Sequence, residues 1–304
     1  MDINTLRATR NSTFSKIASS FETEANPQNK SYIDNRFWKP ERDKAGNATA
    51  TIRFLNVGEG DELPWVKVFS HGFKGPTGRW YIENSLTTLG KPDPVGELNM
   101  KLWNSTTDDK SPQRKQARDQ KRRLNYISNI LVVNDPKHPE NNGTVFLFKY
   151  GKKIFDKIMD KARPTFEDEQ PVNVFDYWEG ANFKLRMKMA DGYPNYDSSE
   201  FESSTPVGKT DEAIVTIASQ QYQLAEFVSE KNFKGYDELK TKLELVLSGE
   251  PVSTKTASDE VDTLDEPVVR EAKQPVSRPA PTPASVSDDD EDMMSYFSKI
   301  ANED

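Results

Sequence analysis

Asn182-Phe183-Lys184-Leu185-Arg186-Met187-Lys188-Met189 alternates apolar and cationic side chains without a break. Successive side chains of a β-strand point to opposite faces, so Phe183, Leu185, Met187 and Met189 share one face while Lys184, Arg186 and Lys188 share the other. One face enters a core, and the other is a row of cations. A chain built around such a strand needs further strands to pair with it.

Those strands are legible upstream. Thr49-Ala50-Thr51-Ile52-Arg53-Phe54-Leu55 and Trp65-Val66-Lys67-Val68-Phe69 read as strands. Arg79-Trp80-Tyr81-Ile82 follows the turn-forming Gly75-Pro76-Thr77-Gly78, which predicts a hairpin. Tyr126-Ile127-Ser128-Asn129-Ile130-Leu131-Val132-Val133 reads as a buried strand stopped by Asn134-Asp135-Pro136, and another strand spans residues 144–150 after Asn141-Asn142-Gly143. Helices are expected after Gly151, with Ile154, Phe155, Ile158 and Met159 on one face, over about 211–229, and over about 236–247 with Leu239, Leu243 and Val246 inward. Residues 84–112, rich in Pro, Gly, Asn, Thr and Asp, read as a loop-rich insertion. Strands first and helices after imply a mostly β fold with helical additions. The compact body starts near Phe37-Trp38. Residues 1–30 form a polar arm, and residues beyond Gly249-Glu250-Pro251 have the composition of a disordered tail.

Charge is sorted along this layout. The chain carries 41 Lys and Arg against 49 Asp and Glu. Seven basic residues and one acid lie between Lys110 and Asn125, whereas the acids concentrate after residue 254, ending in Asp288-Asp289-Asp290-Glu291-Asp292. A basic stretch in a neutral body with an acidic tail points to a polyanion site whose tail can imitate the polyanion. The tail runs on into Met293-Met294-Ser295-Tyr296-Phe297, which reads as a partner-docking peptide. No segment approaches a membrane span, the N-terminus lacks the layout of a signal peptide, and there is no cysteine for disulfides or thiolate ligands. A soluble intracellular protein is expected.

No catalytic set emerges. The two histidines, His71 and His138, have no nucleophile or metal partner at useful spacing, and Gly208-Lys209-Thr210 lacks the upstream glycine of a phosphate loop, position 203 being Ser. What does recur is cations beside aromatic rings. Lys121-Arg122-Arg123 leads into Tyr126, Phe148-Lys149-Tyr150 continues into Lys152-Lys153, and Lys184/Arg186/Lys188 is followed by Tyr193 and Tyr196. Single-stranded nucleic acid calls for this pairing, cations for the backbone and flat faces for unstacked bases.

Several stretches carry a resemblance in order along residues 37–247. They include Asp43-Lys44-Ala45-Gly46-Asn47, Ile52-Arg53-Phe54-Leu55, His71-Gly72-Phe73-Lys74, Trp80-Tyr81-Ile82-Glu83, Asn129-Ile130-Leu131-Val132-Val133, Gly151-Lys152-Lys153-Ile154 and Trp178-Glu179-Gly180-Ala181-Asn182-Phe183. The set resembles the helix-destabilising, single-stranded DNA-binding proteins of T-even-type bacteriophages. The resemblance implies an OB-fold core over 31–250 with a basic insertion at 84–125, and a non-enzymatic protein coating single strands in phage replication, recombination and repair. The resemblance places cleft residues at Lys121, Arg122, Arg123, Tyr126, Phe148, Tyr193 and Tyr196. The cation–aromatic segments add Lys149, Lys152, Lys153, Lys184, Arg186 and Lys188 as expected contacts, and Arg114 and Lys115 stand in the insertion in place of the family's tyrosines. Arg7, Arg10, Ser12 and Thr13 resemble the family's arm motif for cooperativity between protomers. The tail over 251–304 would contact polymerase, helicase loader and recombination mediator in the cytoplasm of the infected host bacterium.

One departure is chemical. Known members hold zinc with one histidine and three cysteines; here His71 matches the histidine, but Ser85, Val95 and Leu98 are placed where cysteines would be. The expectation is no cofactor and no metal, with Leu86, Leu89, Val95, Leu98 and Trp103 packing the subdomain instead. Two other readings stay open: a single-stranded RNA-binding protein using the same cleft, and a replisome adaptor acting mainly through its tail.

Overall fold

The computed structural model describes residues 34–248, apart from 167, 191 and 192. Eight strands form a curled antiparallel sheet: β1 (Ala48–Phe54), β2 (Val66–Lys74), β3 (Trp80–Asn84), β4 (Arg123–Asn134), β5 (Val145–Tyr150), β6 (Ala181–Ala190), β7 (Tyr193–Asn195) and β8 (Glu200–Ser204). The main path runs β3-β2-β4-β1-β6-β7, with β5 on β4 and β8 on β6. Strand β4 is the spine. Its first residues pair with β2, its middle with β5 and its last with β1. One strand serving three partners must bend, which curls the sheet into the half-open barrel of an OB-fold core.

The alternation of β6 holds in space: Phe183, Leu185 and Met187 are buried, while Arg186 and Lys188 are exposed. The inner face packs Ile52, Phe54, Ile130, Val132, Phe148, Tyr150, Phe175, Phe183 and Leu185 into one core. Helix α3 (Lys152–Ala162) closes it with Ile154 and Ile158. Among the described residues no helix is long and apolar enough to cross a membrane.

Residues 84–112 are not loop-rich. They form a 3-10 turn (Leu86–Leu89), helix α1 (Pro94–Asn104) and the entry to helix α2 (Pro112–Asp119). The Pro, Asp and Ser residues that suggested loops stand at helix starts: Asp93 caps α1 with Pro94 at the first position, and Ser111 caps α2 with Pro112. A proline at the first helical position removes only an N–H that has no intrahelical acceptor. Composition alone does not distinguish a loop from a capped helix start.

The helix expected over 211–229 also differs. Helix α4 ends at Ser219 (Asp211–Ser219), and a separate 3-10 turn spans Leu224–Val228. The cause is tertiary. Asn129 of β4 bonds both the N–H and C=O of Tyr222, and the Asp61 carboxylate accepts the N–H groups of Leu224 and Ala225. Side chains distant in sequence thus take backbone groups that a continuous helix would need. Helix α5 (Tyr236–Leu247) matches expectation and packs Leu239, Leu243 and Val246 on Phe73, Tyr81, Leu86 and Val95. Close approach there requires glycine, because a Cβ on Gly75 would lie 2.0 Å from the carbonyl oxygen of Val246.

Candidate nucleic-acid interface

The basic stretch is built from α2 outward. Arg114 and Arg118, four residues apart on α2, lie with their guanidinium carbons 4.4 and 5.4 Å from the Trp103 ring centroid of α1. Arg114 also pairs with Asp109 and donates to the carbonyl of Thr106. These two arginines therefore clamp α2 against α1 through cation–π contacts. Lys115, between them, is exposed.

Beyond Gln120 the chain enters β4 with Lys121 and Arg122 half-buried and Arg123 exposed. Arg122 lies over Phe69 of β2, 4.1 Å from the ring centroid. Lys67, two residues earlier on the same face of β2, stands opposite Tyr126 with its ammonium 6.0 Å from that ring. Phe69 and Leu124, paired across β2 and β4, share the strand face of Tyr126 with Lys67 and Arg122, whereas Arg123, opposite Ser70, lies on the other face. A second cation–aromatic pair, Lys74 over Trp80 at 4.5 Å, lies at the tip of the β2–β3 hairpin.

The rings assigned to the cleft separate into two groups. Tyr126 is 4% exposed and stacks on Phe155 at 4.0 Å, with 6° between ring planes. Phe148 is 5% exposed between Trp38, Phe54 and Tyr150. Both rings pack into the core, because the same apolar area that suits stacking also suits burial. Tyr196 also packs on the core, and burial pushes its phenol up despite nearby Arg42. Tyr193, at 63% exposure, presents an open ring. Tyr193→Ala should weaken binding to a short oligo(dT) by about 1–3 kcal/mol with little change in salt slope. An unchanged affinity in the same titration would remove Tyr193 from the interface.

The cationic face of β6 is partly neutralised by β8. Lys184 pairs with Glu202 at 2.9 Å and Arg186 with Glu200 at 2.8 Å. The hydrogen bond from Lys184, helped by Asn182, holds the Glu202 carboxyl below its usual range. Lys188 is exposed. Lys152 meets Asp156, Lys153 stands 3.8 Å from Asp197, and Lys149 is half-buried on β5. Surface pairs of this kind are worth about 0–1 kcal/mol, so a phosphate can displace the carboxylates. The arm residues Arg7, Arg10, Ser12 and Thr13 and the tail residues 288–294, 296 and 297 lie outside the described residues.

Sequence reading missed three features. Phe69 and Lys67 share a strand face with Arg122, and their i, i+2 spacing was the available signal. Trp178, 54% exposed, sits on a loop held by the Asp176 carboxylate, which accepts the N–H groups of Trp178 and Glu179. Beneath it, fully buried Arg53 donates to the carbonyls of Asp176 and Thr205, and burial lowers the Arg53 guanidinium to about 10 despite nearby Asp176.

The third is Asp93. Of the positions set against the family's cysteines, Ser85 alone adjoins the His71 cluster; Val95 and Leu98 turn into apolar packing with Leu86. Asp93 takes the place facing His71. Its carboxylate already accepts four donors, and among the described residues no group of three or more His, Asp or Glu side chains could hold a metal ion. The residues present do not fit a tetrahedral zinc site.

Comparison with known proteins agrees with this geometry. A family model described as "gp32 DNA binding protein like" matches residues 46–247. The single-stranded DNA-binding protein of Enterobacteria phage T2 is 37% identical over 243 residues, covering 76% of this chain and 78% of that protein. The protein of the same name from Enterobacteria phage T4 is 37% identical, covering 76% and 79% respectively. A third, from Escherichia phage SV14, is 40% identical over 79 residues, 25% of this chain and 69% of that protein. The chain therefore belongs to the gp32-like family of DNA-binding proteins, which is not a family of enzymes.

Proposed function

We propose that this protein binds single-stranded DNA without sequence preference and coats it cooperatively during phage replication, recombination and repair. The observation that carries this reading is that Arg122, within the basic run 121–123, lies over Phe69 on the strand face that also carries Lys67 and Tyr126. It stands in a chain whose T2 and T4 relatives are named single-stranded DNA-binding proteins. Cations take the phosphates, and Tyr193 offers a face to a base. Arg7, Arg10, Ser12 and Thr13 would join neighbouring protomers, and the acidic, apolar-tipped tail would recruit replication and recombination proteins in the host cytoplasm. No cofactor takes part.

Tryptophan fluorescence during titration with poly(dT), poly(rU) and duplex DNA at several salt concentrations tests the reading. Sigmoidal, salt-sensitive binding to poly(dT), with far weaker duplex binding, is expected. Flat poly(dT) curves would overturn it, and tighter binding to poly(rU) would make this an RNA-binding protein. Deleting residues 1–20 should abolish the sigmoidal shape yet spare binding to an oligonucleotide spanning one protomer. Equal loss in both assays would place the arm in the binding site itself.

A further inference from the structure

We propose that the buried His71–Asp93 pair is a metal-free staple that positions the basic run at 121–123 on the DNA, with both side chains acting as positioning residues. This rests on the single-stranded DNA reading above and adds to it the groups that set the register of the run.

The geometry joins four elements through two side chains. His71 and Asp93 are each 1% exposed, with Nε2 of the imidazole 3.2 Å from Oδ1 of the carboxylate. That contact is short, although it lies off the line of an ideal hydrogen bond. On the other side of the ring, Nδ1 is 3.0 Å from the carbonyl oxygen of Gln120. A carbonyl can only accept, so Nδ1 carries a hydrogen and donates it. Both ring nitrogens thus face acceptors.

Asp93 is equally committed. Oδ1 accepts the N–H groups of Val95 and Gly96 at 3.0 and 3.1 Å, which caps α1. Oδ2 accepts the Ser85 hydroxyl at 2.8 Å and the Leu86 N–H at 3.1 Å, which opens the 3-10 turn after β3. Burial pushes this carboxyl up, but the hydrogen bond and charge of His71, with bonds from Gly96 and Ser85, outweigh it and hold Asp93 below its usual range. One carboxylate therefore ties the β3 turn to α1, and the facing imidazole ties β2 to the end of α2.

The position of Gln120 gives the staple its consequence. Gln120 is buried, caps α2 and immediately precedes Lys121. Its carbonyl, past the last helical turn, takes its bond from His71 instead. Arg122 then reaches Phe69, and Arg123 pairs with Ser70, two and one residues before His71 on β2. The imidazole thus fixes the peptide from which the cations project. A buried polar pair of this kind adds little stability but fixes geometry through its directed contacts. The apolar cluster of Phe73, Tyr81, Leu86 and Val95 beside it supplies packing that needs no metal.

The test uses the full chain with His71→Gln, Asp93→Asn and the milder Ser85→Ala, alongside Arg122→Ala. Poly(dT) affinity is measured across salt below each variant's melting temperature, with hydrogen exchange at residues 119–124 and metal content after dialysis against EDTA. The dialysed wild type should hold no stoichiometric metal and keep its melting temperature and affinity. His71→Gln and Asp93→Asn should bind roughly tenfold more weakly, with the salt slope lowered by about 0.7–1.4, the worth of one or two phosphates. Exchange at the amides of 121–123 should rise, and added zinc should restore nothing. Should those two variants fail to fold, Ser85→Ala must show the same signs at smaller size.

A folded variant set with wild-type salt slopes would overturn the staple, and so would a tightly held zinc whose removal reproduces the loss. If Arg122→Ala also left the slope unchanged, the placement of the run on DNA would fail. If Arg122→Ala lowered the slope while His71→Gln did not, only the positioning role would fall.

Discussion

Replacing Lys121, Arg122 and Arg123 together by alanine should lower the log–log salt slope of poly(dT) binding by about 2, at roughly 0.7 per neutralised phosphate. Affinity at moderate salt should fall by about a hundredfold. None of the three is in the core, since two are half-buried and Arg123 is exposed, so thermal stability should change by only about 0.5 kcal/mol per site. On β6, Lys184 and Arg186 have carboxylate partners, so removing them would free Glu202 and Glu200 as well as subtract cations. Fluorescence titrations at four or five salt concentrations decide the matter. An affinity loss with an unchanged slope would mean that the run supports the fold and does not touch phosphate.

Phe54→Ala should destabilise the core by about 3–5 kcal/mol. Phe54 has no exposed surface and lies 5.4–6.3 Å, centroid to centroid, from the rings of Phe148, Tyr150, Phe175, Phe183 and Phe201. Those rings come from four segments distant in sequence, so the cavity left behind cannot collapse by moving one of them. Because a domain is stable by only about 5–15 kcal/mol, the loss is a large part of the total. Urea unfolding should show a lower midpoint at an unchanged m-value. A loss below about 1 kcal/mol would mean that the aromatic cluster repacks, and its description as a close-packed core would be wrong.

Legibility followed the physics of each segment. The strand at 182–189 was readable because its period-2 alternation survives in a half-buried strand, and the helix at 236–247 because its apolar stripe faces one way. Residues 84–112 misled because Pro, Asp and Ser serve loops and helix starts alike. Tyr126 and Phe148, expected in the cleft, are both buried. A ring next to a cation in sequence looks the same whether it caps a base or fills a core, and only the position of Phe155 and Trp38 separates the two.

By itself, the sequence determined strands β1 to β6, but not β7 and β8, together with the mostly β class, the basic run and the family resemblance. Each of these depends on neighbours a few residues apart or on ordered short motifs. Only tertiary structure decided which rings are buried, which cations already have carboxylate partners, where the helix after Thr210 stops, and what faces His71. Those outcomes depend on groups 14 to more than 100 residues apart competing for the same hydrogen bonds and the same buried volume. Asp93 shows the difference: in sequence it is one acid before a proline, and in the fold its four accepted bonds and the facing imidazole join β2, the β3 turn, α1 and the end of α2.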